Sequence, residues 1–266
     1  MKASRRLPLA ALLGLAITLT SNAAVAEDLL DQVKSSGVLR IGVQGTYVPF
    51  DYRNEKGELD GFDVAVAKIL ATRLGVKPEF ITTEWSGIIA GLQAGKFDVI
   101  VNQVAITPKR QAALDFSEPY AYSAVQVIQR SDDKREFRSF EDLKGKQIGV
   151  VLGTNFAEMA KAVPGVGVQT YPGPPEKLRD VAAGRVDAAL DDRLTLPYVL
   201  KKVDLPLRPG GVLANTKIEM GIPFRKGNPK FAKAINDALE SMRRDGTLQK
   251  LSTQWFGIDT SRPAVP

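Results

Sequence analysis

Apolar positions in this chain follow two alternating rhythms. Short apolar runs over Val38–Val43, 76–81 and 97–103 read as buried strands. Helical spacing lies between them: Phe62, Val66, Ile69, Leu70 and Leu74 form one stripe closed by Gly75, and Ile88, Ile89 and Leu92 mark a shorter helix ended near Gly95. Strand, helix, strand, helix, strand predicts a parallel sheet covered by helices on both faces. A second series predicts strands over 125–129, 147–152, 166–171 and 186–190. Helices are expected over 140–143 behind Ser139, from about 155 to 162, and over 175–183. Near the end, Phe231, Ile235, Leu239 and Met242 make a stripe stopped by Gly246. Leu248, Leu251 and Trp255 lie on one side of a last helix that starts at Thr247. The expected fold is α/β with two lobes, each a mostly parallel sheet flanked by helices. Residues 27–124 and 218–266 form the first lobe and 125–217 the second, with crossings near 123–126 and 217–221.

The first 26 residues follow a different pattern. Lys2, Arg5 and Arg6 precede an apolar run over 7–19, and Ala24-Val25-Ala26 puts small residues where a signal peptidase reads them. The run is short for a spanning helix, which needs about 20 apolar residues. Export with cleavage after Ala26 is expected. The whole chain of 266 residues carries 36 Lys and Arg against 30 Asp and Glu, a net charge of +6. Loss of the three basic residues of the signal leaves 33 against 30, or +3. With no long basic run interleaved by aromatics, nucleic acid is not an expected partner. The chain has no histidine and no cysteine. Ser-His-Asp and Cys-His catalysis, thiolate or imidazole metal sites and disulfides are therefore excluded, whereas carboxylate, Ser-Lys and Thr-based chemistry remain open.

In open parallel sheets, ligands bind beyond the carboxyl ends of strands. The segments there are Gln44 to Phe50, Thr82 to Gly87, Asn102 to Arg110, Gly153 to Phe156 and Asp191 to Arg193. Thr107-Pro108 is a helix start, with Thr as N-cap and Pro in the first turn. It leaves Arg110 beside free backbone N–H groups, where a cation is unfavourable unless an anion joins it. Arg110 offers a bidentate fork to a carboxylate, or else pairs with Asp115 or Glu118 on the surface. Asp192, at the end of a strand, suits an ammonium group or a helix cap. Strand alternation sends its competitor Asp191 to the other side. Tyr47 and Trp85 suit the flanks of an apolar or sulfur-containing side chain, or the core.

These segments, with Gly61-Phe62-Asp63, Asp115 to Tyr120, Asp142 to Lys146 and Asp245-Gly246-Thr247, resemble a known family across the mature chain. The chain looks like a periplasmic solute-binding protein for polar amino acids, the receptor of an ABC importer. Trp85 to Leu92, Val101 to Val104 and Thr154-Asn155-Phe156 resemble its cystine-binding branch most. The resemblance implies the type II-like two-lobed fold with a two-stranded hinge, closure over the ligand, and docking of a monomer on an inner-membrane permease, without cofactor, metal or catalytic residue. It implies that Arg110 binds the ligand α-carboxylate, assisted by N–H groups of Ala105 and Asn155. Asp192 would bind the α-ammonium with help from Gln103, and Tyr47 and Trp85 would flank the side chain. Gln44, Asn102 and Thr154 complete the expected polar lining. Gln44 is neutral where many relatives are acidic, which argues against a strongly basic ligand. The competing function is a periplasmic dehydratase acting on a small cyclic acid, with Glu84 or Asp192 as its acid or base.

Overall fold

The computed structural model describes residues 27–202 and 204–263, so the expected signal and its cleavage site lie outside the described residues. The chain opens with α1 (Leu29–Ser36), β1 (Val38–Val43) and a small antiparallel sheet of β2 (Thr46–Tyr47), β3 (Asp51–Arg53) and β4 (Leu59–Asp60). Then come α2 (Phe62–Arg73), β5 (Lys77–Thr82), α3 (Trp85–Gln93), β6 (Val99–Ile100), α4 (Pro108–Ala113), β7 (Asp115–Phe116) and the long β8 (Ala121–Arg130). The second half carries β9 (Gln147–Val151), α5 (Asn155–Lys161), β10 (Gly167–Tyr171), α6 (Pro174–Ala182), β11 (Ala188–Asp192), α7 (Leu196–Lys202) and β12 (Leu207–Met220). The chain returns through β13 (Pro223–Phe224), α8 (Pro229–Arg244) and α9 (Thr247–Phe256).

Two five-stranded sheets result, in the orders β5-β1-β6-β13-β7 and β10-β9-β11-β8-β12. Four of the five strands in each sheet run in one direction, as the alternating pattern requires. One strand in each runs against the rest, β13 in the first sheet and β8 in the second, so each sheet is mostly parallel as expected. The reversed strands lie where the chain crosses: it leaves the first lobe along β8 and returns along β12 into β13. Strands β8 and β12 pair Ala121 with Met220 and Ala124 with Lys217, so two adjacent strands link the lobes. Farther along, the register of β12 slips between Val212 and Lys217, where Asn215 takes a positive φ of 58°.

Burial follows the apolar stripes. Phe62, Val66 and Leu70 of α2 are fully buried, as are Phe231, Ile235, Leu239 and Met242 of α8. The terminal helices cover the first lobe: Phe256 of α9 meets Phe62 and Phe50, with ring centroids 4.8 and 5.6 Å apart. Asp28 caps α1 through Leu30 N–H and also accepts from Phe231 N–H of α8, so one carboxylate fixes both ends of the lobe. The strand expected over 97–103 shortens to β6. Asp98 turns to Arg40, and Gln103 takes a positive φ of 48°. Those last residues are spent on the site rather than on the sheet.

Two buried carboxylates hold the loops of the first lobe. Asp51 accepts from Gly45 N–H, beside the turn that carries Tyr47. Asp63 Oδ1 accepts from Gln103 Nε2 at 2.8 Å and from Tyr120 O–H at 2.9 Å, while Oδ2 has no partner among the described residues. Burial pushes Asp63 up to about 7, and the hydrogen bonds from Gln103 and Tyr120 offset only part of that. Burial, and then the nearby Asp63, raise Asp51 well above the usual carboxylate range.

Gly61 precedes α2 with φ 128°, and a Cβ there would stand 2.2 Å from the Phe50 carbonyl oxygen. Gly61→Ala is therefore expected to lower stability by about 2–3 kcal/mol in urea titrations, since both strain and overlap must be relieved. A loss below about 0.5 kcal/mol would contradict this. The sign for Asp63 follows from its raised value. Between its ordinary value of 3.8 and about 7, the folded protein holds a proton that the unfolded chain has released. Its contribution is complete below about pH 4 and is lost as pH rises to about 7. Asp63→Asn should flatten the fall of stability with pH across that window. Parallel curves for the two proteins would refute the assignment.

Candidate functional site

The carboxyl ends of β1, β6, β9 and β11 face one another across a cleft of about 550 Å³, part of it open to solvent. The first lobe lines it with Gln44, Tyr47, Trp85, Asn102 and Gln103, and the second with Thr154 and Asn155. Seven of the ten residues singled out from sequence thus meet in one place. Arg110, Ala105 and Asp192 are the other three.

Arg110 stands beside the cleft. Its Nη1 donates to the Ala105 carbonyl at 2.9 Å, its Nη2 reaches the Gly153 carbonyl of the opposite lobe at 3.4 Å, and its guanidinium lies 5.5 Å from the Trp85 ring centroid. Thr107 caps α4 by accepting from Arg110 N–H, with Pro108 in the first turn. The surface pairing with Asp115 or Glu118 is not made; among the described residues Arg110 forms no ion pair. Asp115 instead accepts from Gly227 N–H. Burial lowers the Arg110 value from its ordinary one, with a smaller opposing effect from Glu158. The result is a half-buried cation held by carbonyls and an aromatic face.

Asn102 and Gln103 mark the end of β6. Asn102 Oδ1 accepts from Gln44 N–H, which ties two walls together, and its buried Nδ2 has no partner among the described residues. Gln103 Nε2 is committed to Asp63, so its amide serves the first lobe, and Oε1 remains unpartnered. Thr154 caps α5 by accepting from Ala157 N–H at 3.2 Å, which sets Asn155 at the first helical position, facing the cleft.

The two neighbouring aspartates divide as alternation demands, but the phase is opposite to the sequence expectation. Asp191 lines the cleft. Its Oδ1 accepts from Tyr47 O–H at 3.0 Å, across the lobes, and its Oδ2 accepts from Lys177 Nζ at 2.5 Å. Asp192 is fully buried: Oδ1 accepts from Ser123 O–H at 2.6 Å and from Leu194 N–H at 2.8 Å, and Oδ2 has no partner among the described residues. Burial pushes Asp192 up to about 7, more than these bonds lower it. Both carboxylates still act on the cleft wall. Burial first, then Asp191, then Asp192 raise the Tyr47 phenol well above its ordinary value.

Phe156 lines the cleft, as expected of its segment; Lys177, Val151 and Met220 also line it, and the sequence reading did not assign them there. Phe156 sits in the quoted Thr154-Asn155-Phe156 segment. For Lys177, the available signal was a lysine in line with Leu178 and Val181 on the buried side of α6. Glu84, the carboxylate offered for a dehydratase, is an exposed residue at the start of α3. Among the described residues no cluster of acidic side chains suits a metal ion, and no helix is long and apolar enough to cross a membrane.

Comparison with known proteins shows the family. The chain is 42% identical over 237 residues to the L-cystine-binding protein TcyJ of Escherichia coli (strain K12), covering 89% of each chain. The crystal structure of the ancestral amino acid-binding protein AncCDT-1, a precursor of cyclohexadienyl dehydratase, superposes with a TM-score of 0.77 at 36% identity. It matches 86% of this chain and 100% of that one. An ancestral arginine-binding protein bound to arginine gives 0.76 at 38% identity, over 83% and 99% of the respective chains. These relatives are binding proteins; the dehydratase enters only as what AncCDT-1 preceded. Residues 39–258 match the profile of the bacterial extracellular solute-binding proteins, family 3, and the chain belongs to that family.

Proposed function

We propose that this protein captures an L-amino acid outside the cytoplasm and delivers it to an ABC permease in the inner membrane. L-cystine or another polar amino acid is the cargo. The observation that carries this reading is Arg110: a half-buried guanidinium at the cleft, without a carboxylate partner among the described residues. A ligand α-carboxylate supplies the missing anion, and backbone N–H groups of Ala105 and Asn155 assist it. Asp192 receives the α-ammonium, since its Oδ2 has no partner among the described residues and its charge already acts on Tyr47. Tyr47 and Trp85 flank the side chain, while Gln44, Asn102 and Thr154 supply polar contacts. The L-cystine-binding relative supports the ligand class.

Transport then follows from a two-state hinge. The lobes are 27–124 with 218–266, and 125–217, joined where β8 and β12 pair. A ligand touching both lobes favours the closed state by its differential affinity. A shift from 1:99 to 99:1 needs about 5.5 kcal/mol. Direct contacts between lobes contribute too: Lys109 pairs with Glu158 and Tyr47 with Asp191. The chain works as an exported monomer, cleaved after Ala26, that offers its closed form to the permease and binds no nucleic acid.

A thermal-shift panel over the common L-amino acids and L-cystine identifies the cargo, because a ligand binding only the folded state raises Tm. For the amino acid with the largest shift, Arg110→Ala should weaken binding at least about 100-fold in calorimetric titration. The basis is two charge-assisted bonds worth about 1.5–3 kcal/mol each. Arg110→Lys should recover only part of it, because the fork is lost. Unchanged affinity in Arg110→Ala would remove Arg110 from the site.

A further inference from the structure

The proposed binding of one amino-acid head makes no use of the buried ion pair of Lys177 and Asp191. Lys177 is 1% exposed yet belongs to the cleft lining, on α6 of the second lobe. Its Nζ donates to the Leu190 carbonyl at 3.1 Å and to Asp191 Oδ2 at 2.5 Å. A burial this complete is uncommon for lysine and calls for a partner. Asp191 supplies the charge, but the bonding capacity of the pair is not exhausted. An ammonium has three donors, and two are used among the described residues. Asp191 Oδ1 accepts from Tyr47 O–H and from Asp192 N–H, whereas Oδ2 accepts only from Lys177. Each carboxylate oxygen has two acceptor positions, so the pair keeps one donor on nitrogen and one acceptor on Oδ2, side by side.

We infer that Lys177 and Asp191 read a second zwitterionic head at the far end of the ligand, so the cleft selects double-headed amino acids. Lys177 takes the distal carboxylate and Asp191 the distal ammonium. A neutral ion pair accepts a neutral head without leaving a net buried charge, which is the condition for burying either partner at modest cost. A cationic side chain would place a second positive charge beside Lys177 with no carboxylate to match it. That separates this cleft from one suited to arginine, and agrees with the neutral Gln44 on the opposite wall. Tyr47 gives the selection a mechanical consequence. Its hydroxyl bridges from the first lobe to Asp191, so the same pair that reads the distal head also joins the lobes. This inference rests on the proposed amino-acid cargo and sharpens it to a class.

The test compares two ligands that differ in one group. L-cystine carries two heads. The mixed disulfide of L-cysteine and cysteamine lacks only the distal carboxylate. Calorimetric titration of the wild-type protein should show L-cystine binding at least about tenfold more tightly, and L-arginine weaker still. The double variant Lys177→Met, Asp191→Leu replaces the pair by apolar groups of similar size, a change that buried pairs tolerate. There the two disulfides should bind within about threefold of each other. Equal wild-type affinities for the two disulfides would overturn the inference while leaving the amino-acid reading intact. So would preservation of the difference in the double variant. Binding of single-headed amino acids with no binding of L-cystine would overturn it too. Absence of binding by every amino acid would instead remove the reading on which it rests. The wild-type comparison decides even if the double variant fails to fold.

Discussion

A guanidinium without a carboxylate partner among the described residues is the constraint around which this cleft is organised. Arg110 has lost much of its water, and what it receives in return is a carbonyl from each lobe and the face of Trp85. Neutral acceptors offset the desolvation of a cation only in part. The first turn of α4 adds to the imbalance, since its free N–H groups also favour negative charge. Each feature of the surroundings keeps that imbalance in place. Thr107 and Pro108 fix the start of the helix, the shortened β6 frees the preceding residues for the site, and Asp115 is occupied elsewhere.

On the far wall the electrostatics is arranged differently. Asp191 is matched by a buried lysine and bridged by Tyr47, while Asp192 is enclosed with one oxygen unused. Two carboxylates in consecutive positions cannot both stay charged cheaply when buried, and the structure separates their fates. One is neutralised by an ion pair, and the other is pushed up to about 7 by burial. An ammonium group bound there, as proposed, would change that balance by favouring the ionised form of Asp192. In the proposed complex, coupling of ligand charge to a carboxylate in one lobe and to a guanidinium in the other would let one small molecule hold two lobes closed.

Much of the fold was legible in the sequence because buried strands and amphipathic helices write different periods. The stripe of α2, the stripe of α8 and the strand of β1 sit where the pattern put them. The sequence reading did not place α7, the small β2-β3-β4 sheet or the full length of β12, because none has a sustained apolar period. β12 alternates only in part and contains a slipped register. Within the site, Thr107-Pro108 announced the cap beside Arg110 through local chemistry alone. The choice between Asp191 and Asp192 was not readable. Both are buried, alternation fixes only that they diverge, and the phase depends on Ser123 and Lys177 from distant elements. The resemblance implies that Gln103 helps hold an ammonium, whereas its positive φ and its bond to Asp63 turn its amide nitrogen into the first lobe.

The central claim is that the cleft is short of one negative charge that its ligand supplies. The most direct measurement is calorimetric titration with two molecules: the amino acid that stabilises the protein most, and the amine obtained from it by removing only the α-carboxylate. The account predicts binding of the amino acid and a loss of at least about 100-fold for the amine. Comparable affinity for both would contradict it.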